Sequence, residues 1–108
     1  MGLINSTIRL NMLIAQRLDL EYKIQLITQS QMTLAQSVSD LMQVGTDYND
    51  PDSPMAKMLQ QRQAKLKVLE QRLVQQMNQY KSRLDMVNTE IESCTAMRDK
   101  NIQIAFKY

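Results

Sequence analysis

The run Gly45-Thr46-Asp47-Tyr48-Asn49-Asp50-Pro51-Asp52-Ser53-Pro54 is the one stretch of this 108-residue chain where helix-breaking residues collect. It holds both prolines and one of the two glycines, so long uninterrupted segments lie on either side. Aspartate and asparagine side chains compete for backbone hydrogen bonds here, and Pro51 cannot continue a helix. Ser53-Pro54 then reads as a helix start. The serine caps, and the proline takes the first helical position, where its missing N–H costs nothing. Gly45 is the residue expected just past a helix end, because glycine enters the left-handed conformation without a Cβ clash. The run therefore predicts one turn at about 45–53, flanked by helices at about 4–44 and 54–106, in a single 1–108 hairpin domain.

Working back from the turn, Leu41, Val38, Leu34, Ile27, Ile24, Leu20, Leu13 and Leu10 fall on alternating three- and four-residue steps, broken only by Gln31 and Arg17. Such a heptad pattern keeps one apolar stripe facing a partner helix. Working forward, Leu59, Leu66, Leu69, Leu73, Met77, Tyr80, Leu84, Val87, Ile91 and Cys94 form the stripe of the second helix. Steps of four fall on both sides of Leu73, a local irregularity that coiled coils absorb by a change in winding. At 1.5 Å per residue the helices are roughly 60 and 80 Å long.

So short a turn folds the helices back side by side. Pairing positions whose numbers add to about 100 sets Leu41 against Leu59, Leu34 against Leu66, Ile27 against Leu73, Leu20 against Tyr80 and Leu13 against Val87. The two stripes, read independently, agree along their length. The fold class is all-α, an antiparallel two-helix coiled-coil hairpin. Two helices make a thin core, so the hairpin is expected to be completed into a bundle or polymer by self-association.

The first helix carries more apolar residues than one seam needs. Ile4, Ile8, Met12, Ala15, Tyr22 and Leu26 form a second line nearly opposite the first, with Ile14 and Leu18 between the two. A helix apolar most of the way round is buried on several sides, and the chain offers it only one partner helix. Beyond the first helix's expected start, the tail Ile102-Gln103-Ile104-Ala105-Phe106 is also apolar. Ile4, Ile8, Met12, Ile14, Leu18, Tyr22, Leu26, Ile102 and Phe106 are thus the candidate interface with another copy or with a client helix. The nine methionines suit an adaptable contact surface as well as irregular packing.

Several function classes recede on composition. There is no histidine, no glycine-rich phosphate loop and no metal-ligand cluster, so the chain reads as non-enzymatic, with no cofactor and no metal. Cys94 is the only cysteine and reads as a seam residue. Net charge is +2, but between 54 and 83 Lys57, Arg62, Lys65, Lys67, Arg72, Lys81 and Arg83 face the single acid Glu70. A solvated flank accounts for this stretch. Nucleic acid is the third-ranked partner, weakened because the one aromatic residue in the stretch, Tyr80, is a seam residue and none is left to stack on bases. No apolar run is long enough to span a bilayer, and lysines and arginines do not line the first helix's polar face as a membrane-surface helix requires. Arg9, Arg17 and Asp19 interrupt the apolar start, so no cleavable signal peptide is expected, which leaves a cytoplasmic location or export by a non-Sec route. Met1-Gly2 with Ser6 matches the myristoylation pattern and Asn5-Ser6-Thr7 the glycosylation sequon; both patterns depend on a host or compartment.

The turn Asp50-Pro51-Asp52-Ser53-Pro54 and the terminal pattern Asp99, Ile102 and Phe106 resemble those of the needle-filament subunits of type III secretion systems. The resemblance covers about a dozen residues, and both arms here are longer than that family's. It implies a helical hairpin whose C-terminal helix carries much of the polymer contact. Coiled-coil secretion chaperones and adaptors, which clamp client helices, are similar in size and composition. The expected role is a self-associating structural or assembly subunit, with an adaptor as the alternative.

Overall fold

The computed structural model describes residues 2–46 and 53–107. It contains two helices, α1 (Gly2–Thr46) and α2 (Pro54–Lys107), packed against each other as an antiparallel hairpin. Asp47 to Asp52, the centre of the expected turn, lie outside the described residues. The start of α2 is capped as its sequence dictates: the Ala56 N–H donates to Ser53 Oγ (3.1 Å) and the Lys57 N–H to the Ser53 carbonyl (3.2 Å). The end of α1 departs from expectation. The helix passes through Gly45 to Thr46, and no described glycine has positive φ, so Gly45 does not act as a left-handed terminator. At its other end α1 begins at Gly2, where the Ser6 and Thr7 hydroxyls donate to the Gly2 (2.7 Å) and Leu3 (2.8 Å) carbonyls four residues back. This places the Asn5-Ser6-Thr7 sequon within a helix rather than in a surface loop.

The chain divides into two compact units, a terminal unit of Met1–Ile24 with Gln79–Tyr108 and a turn unit of Gln25–Asn78. In the terminal unit Leu10, Leu13 and Cys94 form a buried cluster, with Ile14, Val87 and Ile91 packed on it. Val87 thus packs on the cluster that contains Leu13. Leu20 is buried, and Tyr80 and Leu84 are half-buried. In the turn unit Ile27, Leu59 and Met77 are buried, while Leu34, Val38, Leu41, Leu66 and Leu73 are half-buried. Ile24 is half-buried too, as are Arg17 and Gln31, the two residues that interrupt the apolar stripe of α1.

Leu69 does not join the seam; it is 45% exposed. The reason lies in the irregular step. Counting back from Leu73 in alternating threes and fours assigns the inward position to Glu70, one residue beyond Leu69. A leucine on the shoulder and a carboxylate facing inward compete for one place, and both stay exposed.

No described side chain is wholly removed from water. Burying a leucine contributes roughly 1.5–3 kcal/mol before chain entropy is subtracted. A single seam of partly wetted side chains therefore holds the hairpin by a modest margin.

Candidate interaction surface

The face of α1 turned away from its seam remains apolar and uncovered. Ile4, Ile8, Met12, Leu18, Tyr22 and Leu26 are each between 43% and 61% exposed, and Ala15 among them is exposed as well. Single exposed apolar residues are ordinary on a protein surface, but a contiguous line of this length is not. It follows from the composition of α1. Seam positions take one apolar stripe, and the remaining isoleucines, leucines and methionines have no second helix to meet.

Two expected interface residues lie elsewhere. Ile14 packs on the Leu10–Leu13–Cys94 cluster and so belongs to the hairpin's own core. Its place between the two stripes brings it within reach of α2, and in-chain burial wins. Ile102 is half-buried, because α1 starts at Gly2 and so extends alongside it. Phe106 lies past that coverage and is 88% exposed, with Ile104 also open.

The seam continues further than the apolar residues alone reveal. Ser6 is buried, and its carbonyl accepts a hydrogen bond from Cys94 Sγ (3.4 Å). Asn101 Nδ2 donates to Ser6 Oγ (3.1 Å), and the same hydroxyl donates to the Gly2 carbonyl. A Cβ added to Gly2 would stand 3.2 Å from Asn101 Nδ2, so the helices approach closely at this end. The signal was present as spacing: Leu3, Ser6, Leu10 and Leu13 carry on the alternating steps in α1, as do Cys94, Arg98 and Asn101 in α2. Polarity hid it. Arg98 keeps a buried Nε without a hydrogen-bond partner while its Nη2 reaches Asp99 (3.4 Å), so this layer is held less well than the one below it.

Charges flank the seam and stay near water. Arg9 Nη2 lies 3.8 Å from Glu90 Oε2 across the two helices. Lys23 Nζ lies 2.9 Å from Asp19 Oδ2 and 5.7 Å from the centre of the Tyr80 ring. The Asp19 hydrogen bond and charge hold the Lys23 pKa above its ordinary value. In α2, Lys57, Arg62, Lys65, Lys67, Arg72, Lys81 and Arg83 are all exposed. Helical spacing sets Arg62, Lys65, Arg72 and Arg83 along one row, with Lys57, Lys67 and Lys81 away from it, so four of the seven basic residues share a side and three do not.

A shallow groove in the turn unit is lined by Leu26, Leu34, Leu69 and Leu73 together with Gln29, Ser30, Thr33 and Ser37. The described residues contain no group of three or more metal-ligating side chains placed to hold an ion, and no helix long and apolar enough to cross a membrane. Comparison with protein-family models, curated proteins and solved structures gives no match to this chain.

Proposed function

We propose that this chain is a non-enzymatic helical-hairpin subunit that self-associates into a larger structural assembly, of the kind its turn and C-terminal residues resemble in secretion-needle filaments. The observation that carries the reading is the uncovered apolar line Ile4–Ile8–Met12–Leu18–Tyr22–Leu26 on a helix whose opposite face is already used. Covering such a face removes apolar surface from water and thickens a core that one seam leaves thin. Half-buried Ile102 and open Phe106 add apolar surface at the C-terminal end of α2.

The test is the double variant Ile8→Asp/Leu26→Asp. Neither residue supports the seam, so helix content should persist, while charges at a dry contact cost several kcal/mol. Light scattering should show smaller species than wild type. An unchanged mass would defeat the self-association reading. An adaptor that seats a client helix is the second reading, and the groove between Leu26 and Leu73 favours it. A mass that stays that of a single hairpin at every concentration would turn the balance toward it.

A further inference from the structure

The exposed line on α1 is symmetric about Ala15. Its members pair as Ile4 with Leu26, Ile8 with Tyr22 and Met12 with Leu18, each pair of numbers adding to 30, with Ala15 paired to itself. We infer that α1 docks antiparallel on α1 of a second copy, with a two-fold axis at Ala15. This rests on the self-association reading and adds the partner's direction and register.

A two-fold contact must be self-complementary, because one patch meets its own copy in reverse. An antiparallel helix pair reverses the order of residues, so a pattern symmetric about its midpoint satisfies that demand at every level. The side chain on the axis meets itself, and alanine is small enough there to let the helices close. Levels to either side pair an isoleucine or a methionine with a leucine or tyrosine, and the outer flanks match Asn5 with Gln25.

Charge and area agree with this occupant. In the antiparallel register Arg9 comes to the same side of the contact as the second copy's Asp19, about 3 Å apart along the axis. A parallel pairing would instead set Asp19 level with Asp19 and Arg9 level with Arg9. At roughly 100 Å² for each half-exposed side chain, the six residues present on the order of 600 Å² per chain. Two copies then remove about 1,200 Å², the lower end of the range for specific stable interfaces.

Cysteine cross-linking tests the register, on a Cys94→Ser background that keeps a donor to the Ser6 carbonyl. Added Ala15→Cys should give a disulfide-linked dimer under mild oxidation. Ile4→Cys alone should not, because its copy lies about 33 Å away along the axis, but mixed with a Leu26→Cys chain it should cross-link. Should the background lose its helix signal, the same variants are made with Cys94 in place, whose thiol is buried. Cross-linking of Ile4→Cys to itself would overturn the antiparallel register, as would a dimer by light scattering that forms none of these links; self-association would stand in both cases. A monomer by light scattering with no cross-links would remove the self-association reading and this register together.

Discussion

The terminal unit and the turn unit are built from the same two helices and the same heptad rule, yet they bury their residues differently. In the terminal unit Leu10, Leu13, Leu20 and Cys94 are buried and polar bonds through Ser6 extend the seam. In the turn unit the buried residues are Ile27, Leu59 and Met77, with half-buried leucines between them. The cause lies in α2. From Met77 onward both inward positions of each heptad are filled by side chains that pack, whereas from Leu59 to Leu73 only every seventh residue turns inward. Arg62, Gln63, Leu69 and Glu70 occupy the alternate places, and all four are exposed. A two-helix seam is as tight as the weaker of its two rows.

The largest expected effect follows from that contrast. Leu13→Ala, in the packed cluster, should destabilise the hairpin by about 2–5 kcal/mol through a cavity lined by Ile14, Val87 and Ile91. Leu66→Ala, half-buried in the sparse stretch, should cost roughly 1–2 kcal/mol. Urea unfolding of both at equal concentration makes the comparison, and equal losses would break it. Next, Ser53→Ala removes the side-chain acceptor for the Ala56 N–H and should cost about 1 kcal/mol. Amide exchange would sharpen the contrast further: in this variant the first turn of α2 should exchange faster while the amides near Cys94 keep their protection. The smallest effect belongs to Leu69→Gln. That side chain stands on the shoulder of the seam, so the change in unfolding free energy should fall within about 0.5 kcal/mol. A loss as large as that of Leu66→Ala would return Leu69 to the seam and remove the account given for the thin stretch.

Much of this architecture is legible in single residues. Pro54 and Ser53 set the start of α2 because capping chemistry is local, and the alternating steps from Leu10 to Leu41 name a seam because helical geometry is regular. Legibility fails where two residues compete for one inward place. Leu69 and Glu70 present such a choice, and no rule of spacing settles it. It fails again where a polar residue sits at a heptad position, as Ser6 and Asn101 do, because polarity reads as surface until a partner across the seam is known. The second stripe on α1 was visible as excess apolar composition, but its membership was not: Ile14 counts toward that excess until its packing against the Leu10 cluster is seen.

By itself the sequence determined that there are two helices folded as a hairpin, where the second begins, and most of the stripe that each one buries. Those properties depend on periodicity and on residues whose backbone preferences act within a few positions. Only the tertiary structure decided how deep each seam residue lies, that Ile14 turns inward while Ile8 and Tyr22 remain open, and that Ser6, Cys94 and Asn101 close the seam with hydrogen bonds. Depth is a property of the pair. It depends on what stands opposite, and in a two-helix seam a single residue on the facing helix is enough to change it.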